Sequence, residues 1–428
     1  MIINGNNLEE LKKFPDNYFH SVVLDPPYGI EFMGSKWDYD VPTVELWEEV
    51  LRVLKPGGYL LAFAGTRTQH RMAVNIEDAG FEIRDMIAWV YGSGFPKSHN
   101  IAKAIEKKEG LLEETTSTLF NNPNGKRDLT KRSDYGYIYN PSTDEAKKWE
   151  GWGTALKPAL EPITMARKPF KGTVANNVLK NGVGGINIDG CRIKTEEEIG
   201  RDNRNIKNSP LAPKDGWNVN SMKGLDRRGK QQGRFPANFI HDGSNEVTDL
   251  FPQRGKSSGG QSGVKKSGLT YSSKWDEKEN STGCGFGDSG SASRFFYCAK
   301  ASKQDRNKGL EKTARKEGFE YKRKADRKIA DGKGGENPRN RTNTKKQNHH
   351  PTVKPTDLMR YLVRLVTPKN GIVLDCFMGS GSTGKACALE GFEFVGIDLD
   401  KDYCEIAKAR IDKALEDKNQ AEAQKELF

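Results

Sequence analysis

The stretch VLDCFMGSGSTGKA, residues 373–386, decides the fold. It opens on the apolar end of a strand, passes through glycines at 379, 381 and 384, and runs into a helix. That G-x-G-x-x-G spacing, placed between a strand and a helix, allows a tight turn and lets a ligand approach the backbone, while the first amides of the helix offer donors. The next strand, FEFVGIDLD, ends on Asp398, which can accept hydrogen bonds from the two hydroxyls of a ribose. The plain alternative is a strand-to-helix turn with an incidental acid.

Two adenosine ligands suit such a loop. A dinucleotide fingerprint places an acid about 20 residues after its glycines, and Asp398 lies 19 after Gly379, so distance does not exclude it. Asp375, however, directs a carboxylate towards the loop. An anion there opposes a pyrophosphate and favours the ammonium of a methionine moiety. The expected cofactor is therefore S-adenosylmethionine, with Asp375, Gly379, Gly381, Gly384 and Asp398 in its site.

A second strand-to-loop junction lies near the other end of the chain, in VVLDPPYGIEF, residues 22–32. Val22, Val23 and Leu24 read as the end of a strand covered on both faces. Pro26 and Pro27 cannot join a ladder and fix their own φ, so Asp25 and Tyr28 sit on a stiff loop past the carboxyl end of the strand, where open α/β sheets bind ligands. Here the bland reading is a strand-terminating turn.

Length and composition set the frame. A chain of 428 residues fits roughly two or three domains. Its hydrophobic content of 35% is low against a usual ~45–50%, so part of the chain is expected to be loop. There is no run of about 18 apolar residues and no signal-like start, which gives the expectation of a soluble cytoplasmic protein without a membrane partner. The six cysteines form no C-x-x-C pair, as expected for reduced thiols. Of the net charge of +11, +10 falls in residues 300–346, where 17 Lys or Arg face 7 Asp or Glu. Such a run is either a solvated segment or a phosphate-binding surface.

The pattern predicts three regions. Residues 1–170 alternate strands and helices, with 99–157 as a loop insertion. Residues 171–345 are an irregular, basic stretch in which NVLKNGVGGINIDGCRI, GRFPANFIHDG and SRFFYCAK are expected as short strands. Residues 346–428 return to α/β, with GIVLDCF and FEFVGIDLD as strands and KDYCEIAKARIDKALEDK as a helix.

Three motifs in this order, D-P-P-Y (25–28), H-P-T-V-K-P (350–355) and F-M-G-S-G-S-T-G (377–384), resemble those of the amino-type DNA methyltransferases of the beta arrangement. The resemblance covers residues 1–110 and 346–428, and extends more loosely to YGSGFPKSHNI, GTALKPALEPITMARKP and SRFFYCAKAS, stretches similar to large phage and bacterial members. It implies an α/β fold: a Rossmann-like, mostly parallel seven-stranded sheet, circularly permuted, with an irregular α+β insertion that reads DNA sequence. MIIN at the start would lie beside the strand ending at Asp398. The resemblance also assigns Phe377 and Thr383 to the cofactor, Asn6 to its adenine amino group in place of the usual acid, and Thr352, Lys354 and Pro355 to its methionine end, Lys354 pairing the carboxylate.

The implied activity is methylation of the N6 amino group of an adenine flipped out of double-stranded DNA. N4 methylation of cytosine, or an idle DNA-binding protein on the same scaffold, are the alternatives. An exocyclic amine is a poor nucleophile because its lone pair is delocalised. Asp25 accepting one amino hydrogen and the Pro26 carbonyl the other would aim a pyramidal nitrogen at the sulfonium methyl, with Pro27 stiffening the pair. Tyr28 would stack on the extruded base. No cysteine follows a proline, so covalent cytosine C5 chemistry is not expected. No metal is required, and His349 and His350 are expected to face solvent. A homodimer and a cognate restriction endonuclease stay open as further partners.

Overall fold

The computed structural model describes residues 1–30, 38–94, 98–111, 139–195, 233–254, 290–299, 303–311 and 347–426. Within them the chain forms two compact units, residues 1–92 with 160–428, and residues 93–159.

The larger unit is built on one sheet. Its strands, in chain order, are β1 (Ile2–Asn4), β2 (Phe19–Leu24), β3 (Leu54–Phe63), β4 (Glu82–Val90), β5 (Leu160–Arg167), β6 (Phe239–His241), β7 (Gln253–Arg254), β8 (Gly290–Ser291), β9 (Tyr297–Cys298), β10 (Ile372–Asp375) and β11 (Glu393–Asp398). Nine of these make the sheet, in the order β1-β11-β10-β2-β3-β5-β4-β6-β9, and β7 pairs only with β8. Among the described strands of the nine-stranded sheet only β5 runs against its neighbours, while β7 and β8 pair antiparallel with each other. The seven strands expected are all present; β6 and β9 from the middle region extend the sheet past β4.

The interleaving of the two chain ends is explicit. β1 pairs in parallel with β11, Asn4 opposite Asp398, and β10 pairs in parallel with β2, Leu374 opposite Val22. The first and last segments therefore build one sheet.

The helices among the described residues are, in chain order, α1 (Asn7–Leu11), α2 (Val44–Val53), α3 (Gln69–Asp78), α4 (Ile101–Lys108), α5 (Asp144–Lys148), α6 (Val174–Asn181), α7 (Asn245–Thr248), α8 (Lys303–Asn307), α9 (Thr356–Val366), α10 (Ser382–Glu390) and α11 (Lys401–Glu426). Helices of the larger unit cover both faces of its sheet. One core layer joins Trp47, Val50, Met72 and Ile76 of α2 and α3 to Val22, Leu24, Leu60 and Ala62. The other joins Leu358, Leu362 and Val366 of α9 to Val23, Leu61, Phe63 and Val373. Alternate residues of each strand thus serve opposite layers, as a sheet buried on both faces requires.

The stretch NVLKNGVGGINIDGCRI, expected as strand, is the end of α6 followed by a single 3-10 turn at Asp189–Cys191. Two end signals explain the difference. Thr173 caps the helix by accepting from the amide of Asn176, and Gly182 closes it in the left-handed conformation at φ 72°. Asn177, buried, donates to the carbonyls of Pro56 and Val183, so the helix is pinned by a polar residue instead of an apolar stripe.

The smaller unit holds α4 and α5 where a loop insertion was expected. Glu106 of α4 accepts from the Tyr139 hydroxyl at 2.6 Å and from the amide of Thr143 at 3.0 Å, which ties the two helices together. Among the described residues no helix is long and apolar enough to cross a membrane.

Candidate active site

Three carboxylates mark the carboxyl ends of three neighbouring strands. Asp398 ends β11, Asp375 ends β10, and Asp25 is the residue after β2. Because β11, β10 and β2 are adjacent and parallel, these acids from both ends of the chain face the same edge of the sheet.

The loop carrying Asp25 is fixed from below. Asp38, buried, accepts from the backbone amides of Tyr28 at 2.6 Å and Gly29 at 3.0 Å, while the Thr68 hydroxyl donates to the Tyr28 carbonyl at 2.5 Å. Gly29 sits at φ 65°, with a Cβ there only 2.9 Å from the amide nitrogen of Val41, so the turn requires glycine. Pro26 is buried. Neither Asp38 nor Thr68 carries a motif by which the sequence would have disclosed it.

Around Asp25 the side chains form one polar network. The Tyr28 hydroxyl lies 2.7 Å from Asp25 Oδ1 and 3.1 Å from Glu161 Oε2, so its single hydrogen serves one carboxylate at a time. Lys354 Nζ donates to Asp25 Oδ2 at 2.6 Å and lies 3.3 Å from Glu161 Oε2. Lys354 is 7% exposed. Burial works against its charge, but Asp25 and Glu161 outweigh that and raise its pKa, so the ammonium stays protonated. Burial and the same two carboxylates push the Tyr28 hydroxyl well above its usual range, keeping it a donor. Removing one partner of such a buried pair costs about 3–5 kcal/mol. The ammonium expected to meet a cofactor carboxylate is thus engaged by Asp25 and Glu161. Glu161, the second residue of β5, joins this network although no motif in the sequence singles it out.

The glycine loop is equally constrained. Gly379 has φ 51° and Gly381 φ 77°; a Cβ on Gly379 would stand 2.7 Å from His350 Nε2, and one on Gly381 2.7 Å from the Cβ of Ala407. Gly384 has a different role: a Cβ there would fall 2.3 Å from Ile411, so this glycine lets α10 pack on α11. Asp398 accepts from the amides of Gly379 at 2.7 Å and Asp400 at 2.8 Å. Each of its oxygens keeps a second lone pair for a hydroxyl. Arg410, fully buried on α11, donates to the carbonyl of Ser380 and holds the loop from behind.

Asp375 is the residue that best tests the fit of a methionine ammonium. It is buried, accepts from the Phe377 amide at 3.0 Å and from the Thr383 hydroxyl, and has no ion pair among the described residues. Burial pushes its pKa up to about 7, with the charges of Asp25 and Asp398 adding to the shift. A buried carboxyl lacking a cation, beside a glycine loop and a helix N-terminus, suits a ligand that brings one.

The remaining predicted positions are placed as follows. Asn6 is exposed and its side-chain oxygen accepts from the amides of Leu8 at 3.0 Å and Glu9 at 3.3 Å, capping α1. Its neighbour Asn7 reaches further in, donating to the Cys376 carbonyl at 3.3 Å. Thr352 accepts from His350 Nδ1 through its carbonyl, and Pro355 caps α9. His349 and His350 do not face solvent: both pack on Tyr403, with ring centroids at 5.3 Å and 4.6 Å, and burial lowers the pKa of His350 to about 4. Arg306 of α8 donates to the carbonyls of Asn348, His350 and Pro351, fixing the loop that leads to Lys354. Most of the basic run 300–346 lies outside the described residues. Of the aromatics in the middle region, Phe296 packs on Phe239 at 4.9 Å and Tyr297 stacks on Tyr361 at 4.1 Å, whereas Phe235 is 65% exposed.

A family model described as DNA methylase, N6_N4_Mtase, matches residues 19–409. The Type II methyltransferase M.HindIII of Haemophilus influenzae is 27% identical over 230 residues, 44% of this chain and 64% of that protein. The Type II methyltransferase M2.LlaDCHI of Lactococcus lactis subsp. cremoris is 42% identical over 64 residues, 15% of this chain and 24% of that protein. The matched stretches thus span less than two thirds of these relatives. Among solved structures, the M1.HpyAVI-SAM complex aligns over 96% of this chain and 98% of its own, at 14% identity and a TM-score of 0.37. PvuII DNA methyltransferase (cytosine-N4-specific) aligns over 98% and 91%, at 12% identity and a TM-score of 0.39.

Proposed function

Since the chain belongs to the N6/N4 DNA methylase family, we propose that it transfers a methyl group from S-adenosylmethionine to an exocyclic amino group in double-stranded DNA, the N6 of adenine. The observation that carries this reading is the meeting of Asp25 with Asp375 and the glycine loop at one edge of the sheet, through the pairing of β2 with β10. Asp375, Gly379 and Asp398 are suited to hold the cofactor's ammonium, backbone-facing edge and ribose. Bound there, it supplies an electrophilic methyl on a sulfonium.

Asp25 accepts one hydrogen of the target amine and the Pro26 carbonyl the other, localising the nitrogen lone pair. The Asp38 contacts to the amides of Tyr28 and Gly29 hold this acceptor pair in place without reorganisation. Tyr28 offers its ring to the extruded base, recovering about 1–3 kcal/mol of the unstacking cost. The acid at the head of the D-P-P-Y loop favours adenine; N4 of cytosine shares the geometry and is the second reading. The basic run 300–346 supplies phosphate contacts.

The test is transfer of labelled methyl to duplex DNA, followed by digestion to nucleosides and sequencing of the modified positions. Label in N6-methyladenine at one sequence context is expected. Steep loss of DNA affinity with salt is expected alongside, and a flat salt titration would remove the phosphate role of residues 300–346.

A further inference from the structure

We infer that Lys354 holds the amine-accepting position of Asp25 when no base is present, and that Glu161 is the positioning residue that receives Lys354 when the target amine arrives. The inference rests on the function proposed above and names how that site is kept ready.

Both oxygens of Asp25 are engaged. Oδ2 accepts from Lys354 at 2.6 Å and Oδ1 from the Tyr28 hydroxyl at 2.7 Å. Each keeps a second lone pair, so a target amine competes with Lys354 for the space beside Oδ2 and not for the last acceptor site. Lys354 Nζ is itself a tetrahedral nitrogen bearing hydrogens, 5.4 Å from the centre of the Tyr28 ring on which the base would stack. It stands where the reacting nitrogen has to be.

The place to which it moves is already built. Glu161 Oε2 is 3.3 Å from Nζ, and a small displacement exchanges the short contact for the long one. Phe63, with its ring centroid 4.8 Å from Nζ, gives the ammonium an aromatic face throughout. Glu161 is held by its place in β5, opposite Trp89, and by the Tyr91 hydroxyl. One cation shared by two carboxylates leaves the net charge of the site the same in both arrangements. The Tyr28 hydroxyl, within reach of both acids, follows the same exchange.

The experiment compares the full chain with Glu161→Gln, Lys354→Met and the double variant in methyl transfer to unmodified duplex DNA. Cofactor affinity and thermal melting are recorded for each. Glu161→Gln, which replaces the second carboxylate by a neutral amide and so weakens the place to which the ammonium moves, is expected to lower kcat at least tenfold with cofactor affinity unchanged. Removing the lysine in that background is expected to restore at least threefold, a non-additivity that a merely structural Glu161 would not produce. A double variant no faster than Glu161→Gln, or a Glu161→Gln enzyme of normal kcat, overturns the inference.

A second measurement is independent of whether Glu161→Gln folds. For duplexes carrying the modified site, the affinity ratio between adenine and unsubstituted purine at the target is expected to rise at least threefold in Lys354→Met. An unchanged ratio overturns the inference. Absence of transfer by the unsubstituted chain is a distinct outcome, seen first in the same assay, and removes the function itself.

Discussion

Nζ of Lys354 lies 2.6 Å from Oδ2 of Asp25, a contact between residues 329 apart in sequence. It joins the motif near the start of the chain to the motif that precedes the glycine loop, and it makes Asp25 the centre of the site. Asp25→Asn keeps the shape of the side chain and removes its charge. Methyl transfer should fall by on the order of 10²–10³, the effect of losing one preorganised electrostatic contact to the reacting group. Cofactor binding measured by calorimetry should be unaffected.

Asp375 gives a pH signature whose sign is fixed. Its folded pKa of about 7 lies above the unfolded value of 3.8, so the folded state binds the proton more tightly and rising pH through that window removes stability. His350 acts in the opposite sense: burial lowers it from 6.5 to about 4, so its contribution is present above 6.5 and lost as pH falls. The difference between Asp375→Asn and the unsubstituted chain isolates the first effect. The Tm advantage of Asp375→Asn should grow from pH 4 to pH 7 and then level. Cofactor affinity of the unsubstituted chain should climb over the same range, as an ammonium requires the ionised carboxyl. A pH-independent Tm difference would contradict the assignment.

Gly379→Ala places a Cβ 2.7 Å from His350 Nε2 at a backbone φ of 51°. The left-handed conformation alone costs an alanine about 1–2 kcal/mol. We expect at least a tenfold loss of cofactor affinity. Gly185→Ala, where a Cβ would have nothing within 4 Å, should leave affinity unchanged.

Arg306→Met preserves length but strips the donors from three carbonyls, at 3.2 Å, 2.9 Å and 3.2 Å. Leaving such acceptors unpaired costs about 1–3 kcal/mol. Denaturant unfolding should show that loss, and a variant as stable as the unsubstituted chain would show that α8 does not anchor the loop before Lys354.

The parts of the molecule legible in the sequence are those written as local patterns. β2, β10 and β11 are short apolar runs ending in acids, and the glycines of 379–384 announce a strand-to-helix turn. The position of MIIN beside β11 followed from the order of the motifs. What escaped the reading depends on contacts distant in the chain. Glu161 reads only as the polar edge of a strand until β5 lies antiparallel between β3 and β4 and brings it to Tyr28. Arg410 reads as a surface charge on α11, yet it is fully buried because Ser380 and Asp305 offer it carbonyl oxygens. NVLKNGVGGINIDGCRI reads as strand because the stabilising contacts of α6 are polar, and α9 is absent from the expected elements although Leu358, Leu362, Val363 and Val366 are buried along it at helical spacing.

The proposed activity requires Asp25 to present a base amine to a methyl donor held over the glycine loop. The direct measurement is nucleoside analysis of duplex DNA after incubation with labelled S-adenosylmethionine, with Asp25→Ala in parallel. Label in N6-methyladenine is expected for the unsubstituted chain and none for the variant. Label in 5-methylcytosine, or equal transfer by both proteins, would contradict it.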